Sequence, residues 1–280
     1  MLKQCSEEDF YKIDIVSIDR LSPDRIPVFF WAAFIISGIM TAVVNFGSGY
    51  SIYVNNPIWP IIVKVLIAFL VIQFIVAVFF TSEKNYYKYQ KLQCVLLSIF
   101  SLKLSVDIYP VYFLLCEDRD APNFMTTTAI FLALGGLIYL IISTIRGIKR
   151  VQKGELRKDG RGLYNFKQSK AHVSLPIIFG ATMLGGAIVR TLSNTPNNFG
   201  TMIELFFFLF LCVSLQYAIA FAWPEFFLLT YCKFRFESFH VPMPNRLKDS
   251  GNSHSGNKQT KQTKMNKKDT RKKRAGGRKR

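Results

Sequence analysis

The chain has 280 residues, half of them hydrophobic and 26 of them Phe, with a net charge of +18. The apolar residues come in long blocks, which excludes an ordinary soluble domain: a bilayer core about 30 Å thick takes roughly 20 apolar residues in a helix, and several blocks reach that length. The charge is as uneven. From Arg246 to Arg280 fourteen Lys and Arg face only Asp249 and Asp269, which points to an anionic partner, lipid headgroups or nucleic acid.

Residues 1–26 are polar and mixed in charge, and read as a cytoplasmic N-terminal segment. Within them Lys12 to Asp19 partly alternates apolar and polar residues, the pattern of a short strand or a loop. Pro23 and Pro27 break any helix ahead of the first apolar block. That block lacks a small-residue cleavage pattern after it and reads as a retained span. The expected spans are 27–46, 58–80, 92–115, 125–145, 173–192 and 203–231, the last bent near its inner end by Pro224. The expected fold is an all-α integral membrane protein: a bundle of six transmembrane helices over 27–231, a juxtamembrane segment 232–248, and a disordered polybasic tail 249–280. The tail has almost no large apolar residue except Met265, so it cannot bury enough surface to fold alone.

The connecting segments set the orientation. Counted along the chain, Lys and Arg number four before the first span, none in 47–57, three in 81–91, one in 116–124, nine in 146–172 and none in 193–202. Cytoplasmic loops carry the excess of Lys and Arg, so both termini are expected inside. Dropping the third span would put the nine-charge loop outside, so the charge pattern requires that span.

The third span is the least apolar because it holds Lys103 and Asp107, at i and i+4 on one helical face. Each charge at mid-span disfavours insertion by about 2.5–3.5 kcal/mol, while each Leu, Ile, Phe or Val returns about 0.3–0.6 kcal/mol. With fourteen such residues in 92–115 the span is near break-even and is expected to face other helices or a wet cavity. Lys103 and Asp107 are the candidate intramembrane polar site: either an ion or proton site, or a self-neutralised pair that fixes packing.

Other ionisable residues have simpler readings. Lys64 can snorkel to the headgroups. Arg190 and Glu204 suit the dipoles of the helix ends they occupy and can pair across a short loop. Glu225 sits near the inner interface. Small residues at Ala33, Ser37 and Thr41, at Ala129, Ala133, Gly135 and Gly136, and at Ala181/Gly185 and Thr182/Gly186 mark close helix contacts, within the chain or between copies. The aromatic and basic residues from Thr230 to Pro244 read as an interfacial anchor, and Pro242 and Pro244 detach the tail.

No metal, cofactor or catalytic set is expected. The five cysteines show no CxxC spacing, and His172, His240 and His254 are scattered. There is no HExxH, GxSxG or Walker A pattern. Free cysteines pack as small hydrophobes; Cys116 alone is expected on the outer face, where it should react with external reagents. In the tail Lys267, Lys268, Arg271, Lys272, Lys273, Arg274, Arg278, Lys279 and Arg280 are the candidate contacts to anionic lipid, with nucleic acid the less favoured partner because 258–280 has no aromatics to stack on bases.

These features suggest a small polytopic protein of a bacterial plasma membrane. It is expected to be no enzyme and to act through a membrane-protein partner or a second copy, as an accessory subunit of a transport or secretion system or as a membrane immunity protein. The alternative is a secondary transporter using Lys103 and Asp107.

Overall fold

A computed structural model describes residues 2–163 and 198–243; the expected span 173–192, Arg190 and the tail contacts lie outside the described residues. The chain divides into two compact units after Val241. All regular structure among the described residues is helical.

Five stretches are long and apolar enough to cross a membrane. They are α2 (Ile26–Tyr50), α3 (Trp59–Thr81), the pair α5 (Gln90–Val106) and α6 (Tyr109–Asp118), α7 (Asn123–Gln152) and α8 (Asn198–Arg235). Each coincides with one expected span to within several residues at either end. Two further helices are short: α1 (Tyr11–Ile18) and α4 (Glu83–Lys88).

The N-terminal segment corrects the sequence expectation. Lys12 to Asp19 lies almost wholly within the helix α1, neither strand nor loop. Tertiary packing overrides the partial alternation: Ile13 and Ser17, one helical turn apart, are turned inward. Just ahead, the buried ring of Phe10 packs against Tyr231 and Phe236 of the α8 end.

The first turns use proline where it costs nothing. Pro27, Pro60 and Pro110 occupy the first two positions of α2, α3 and α6, whose amides have no acceptor in the helix anyway. Pro110 also explains the break between α5 and α6, since it cannot donate to the Val106 carbonyl. Pro224 lies inside α8, which continues through it.

The long helices pack in a row. α8 lies against α7 and α5, α2 lies against α3, and contacts of α2 with α5 and α6 join the two groups. The small residues serve this packing as expected. Ala33, Ser37 and Thr41 are buried along α2, and Ala129 and Gly136 along α7. The outward faces of α3 and α7 stay apolar and exposed, with Phe69, Phe74, Ile75, Phe131, Ile138 and Ile141 among them.

The two ends of this row differ in chemistry. At one end Trp59 Nε1 donates to Glu117 at 2.7 Å, Ser51 Oγ donates to Asp118 at 2.5 Å, and Arg119 lies 3.9 Å from Glu204. This acidic end gathers the α2–α3 and α6–α7 connections with the start of α8. At the other end Arg157 donates to Asp9 at 2.6 Å, Arg20 pairs with Glu225, and Gln93 donates to the Pro23 carbonyl at 2.8 Å. This basic end gathers the N-terminal segment, the α3–α5 connection, the turn after α7 and the end of α8.

Candidate functional site

Midway along the bundle four polar side chains meet: Ser37 of α2, Gln73 of α3, Lys103 of α5 and Asp107 at its C-terminal cap. Lys103 and Asp107 pair as the i, i+4 spacing implies, with Nζ 2.5 Å from Oδ2. Asp107 Oδ2 also accepts from Ser37 Oγ at 2.5 Å. The same hydroxyl accepts from Lys103 Nζ at 3.1 Å and from Gln73 Nε2 at 3.3 Å. Ser37 thus uses its one proton and both lone pairs. Lys103 and Asp107 are 11% and 5% exposed, so water contributes little to their solvation. The carbonyl oxygen of Gln73 is buried and has no partner.

Ser37 and Gln73 are functional-site candidates that sequence reasoning missed. Ser37 was absorbed into the small-residue stripe of its helix. Gln73 was legible as the single amide in the apolar run from Ile58 to Phe80, a signal outweighed by the hydropathy around it. A polar side chain there needs a partner, and Gln73 has it in Ser37, beside the charged pair of the next block.

A second polar contact joins the other half of the bundle. Tyr109 OH donates to Gln216 Oε1 at 2.6 Å, and Gln216 Nε2 donates to the Ala133 carbonyl at 2.8 Å. The amide lies against Gly136, where an added Cβ would come within 2.2 Å of it.

Cys116 and Lys233 depart from their expected places. Cys116 is buried beside Tyr112 and Met125 and does not present its thiol outward; the helix α6 turns it into the bundle. Lys233 is not part of an exposed anchor: at 1% exposure it donates to Gln90 Oε1 at 2.7 Å and to the Phe239 carbonyl at 2.6 Å. Glu225 is buried and paired with Arg20. Lys64 is exposed.

Among the described residues no group of His, Cys, Asp and Glu is disposed to hold a metal ion. The central cluster pairs Lys103 with Asp107 and ties three helices together. Comparison with protein-family models, characterised proteins and solved structures gives no match.

Proposed function

We propose a multi-pass protein of the plasma membrane, with its basic end in the cytoplasm, that acts without catalysis through a protein partner. The observation that carries this reading is the contrast between the ends. At the basic end Asp9–Arg157 ties segment 2–20 to segment 153–163, Arg20–Glu225 ties it to α8, and Lys233–Gln90 ties the end of α8 to the start of α5, which makes a folded cap. The acidic end, among the described residues, has only short connections. A built surface on one side is what a partner-binding protein needs.

Several features support the membrane placement. The outward apolar faces of α3 and α7 suit lipid. The cap carries the basic segments, as cytoplasmic loops do. Leu163 lies at the basic end and Asn198 at the acidic end, in keeping with six crossings and both termini inside.

Photo-crosslinking from Lys88 or Lys153, both exposed at this end, tests the partner. In native membranes it should yield a discrete adduct with one other protein. Adducts with lipid alone would oppose the reading.

The second reading is a secondary transporter, favoured by the unpartnered Gln73 carbonyl beside a buried ion pair. It requires flux into vesicles holding the purified protein alone, abolished by Asp107→Asn.

A further inference from the structure

A cavity of about 600 Å³ opens at the basic end between α1 and the turn after α7. Lys12, Arg20, Lys158 and Arg161 line it with a single carboxylate, Glu225. Glu225 is already taken by Arg20, and Lys12 donates to the Gly160 carbonyl. Lys158 and Arg161 are exposed and make no ion pair among the described residues. Three cations, Lys12, Lys158 and Arg161, therefore face the cavity with no carboxylate partner among the described residues.

The turn that carries Lys158 and Arg161 is built rather than loose. Gly154 and Gly162 have φ of 72° and 81°, in the left-handed region that favours glycine. Gly162 N donates to the Glu155 carbonyl at 2.7 Å. A Cβ at Gly160 would come within 2.2 Å of that same oxygen. The compact turn holds Lys158 and Arg161 on either side of Gly160.

Beside the cations lies an apolar stripe. Tyr11, Ile15 and Ile18 follow at i, i+4 and i+7 on one face of α1 and are 39%, 49% and 64% exposed. Tyr11 and Ile15 line the cavity as well. A cationic hollow next to an unburied apolar helix face is complementary to an amphiphile with an anionic head. Arg with a nearby Lys suits the several oxygens of a phosphate.

We propose that this cavity binds the phosphate of an anionic phospholipid, held by Lys158 and Arg161, with the acyl chains along Tyr11, Ile15 and Ile18. The site rests on the membrane reading above, with the basic end at the inner leaflet. It is distinct from the tail, whose residues 258–280 carry many charges and one large apolar residue, Met265.

The full chain, purified in neutral detergent, is heated with added phosphatidylglycerol, phosphatidylcholine or inorganic phosphate. Phosphatidylglycerol should raise the melting temperature of the wild type, and phosphatidylcholine and inorganic phosphate should not. Lys158→Gln with Arg161→Gln, two exposed positions, should weaken the apparent affinity for phosphatidylglycerol at least tenfold. A variant with Arg271, Lys272, Lys273 and Arg274 all changed to Gln should respond as the wild type does. An unchanged response in the cavity variant, or a response lost only in the tail variant, overturns the site. A response to inorganic phosphate as large as that to phosphatidylglycerol overturns the lipid as ligand. A chain that stays monodisperse without detergent or lipid contradicts the membrane reading itself, so the two failures are separable.

Discussion

Asp107 is held by Lys103 and Ser37 through one carboxylate oxygen, so removing Lys103 leaves a nearly buried charge with a single hydroxyl. Breaking a buried pair by deleting one partner costs about 3–5 kcal/mol, whereas replacing both with apolar residues is often neutral. Lys103→Met and Asp107→Leu should each lower the melting temperature and yield of the purified protein, and the double variant should recover most of both. Equal stability of all four proteins would mean that water reaches the pair. Outside the apolar stretches, Asp9 offers a pH test. Burial pushes its carboxyl up, but hydrogen bonds from Arg157 and from the Ser6 backbone outweigh this and leave it below the ordinary aspartate value. A carboxyl lowered on folding stabilises above its unfolded value and loses that contribution as pH falls through the folded one. Limited proteolysis of the N-terminal segment should therefore be slow at neutral pH and accelerate only in acid. Asp9→Asn should speed cleavage at neutral pH and leave the acid rate unchanged.

Between elements, α7 approaches α8 closely at Gly147. A Cβ on Gly147 would lie 2.9 Å from Cβ of Pro224, and a proline ring has no rotamer by which to withdraw. Gly147→Ala should force the helices apart and destabilise by about 1–3 kcal/mol, as overpacking does, read as a lowered melting temperature in detergent. Gly49→Ala, in open space, is the control and should change little. The apolar runs made the long helices legible in the sequence, because about 20 apolar residues leave few other structures. The Lys103–Asp107 pair was legible for a similar reason, since i, i+4 spacing is local. What was not legible depended on contacts far apart in the chain. The helix α1 is fixed by rings some 220 residues away, and the inward turn of Lys233 depends on Gln90. The roles of Ser37 and Gln73 follow from the side-by-side packing of α2, α3 and α5, which no spacing within one helix encodes.

At the scale of the whole molecule, the separation into an acidic and a basic end is the basis for its placement. Each long helix runs from one end to the other, so fixing one connection fixes all. The native cysteines are buried, which makes Cys116 a poor reporter and asks for introduced ones. Tyr53, 63% exposed in the α2–α3 connection, marks the acidic end, and Lys153, exposed after α7, marks the basic end. In a variant with the five native cysteines changed to Ser or Ala, Tyr53→Cys and Lys153→Cys are labelled in intact cells with a membrane-impermeant maleimide. Labelling of Tyr53→Cys at once, and of Lys153→Cys only after the membrane is opened, is the result predicted. Labelling of Lys153→Cys in intact cells would contradict it.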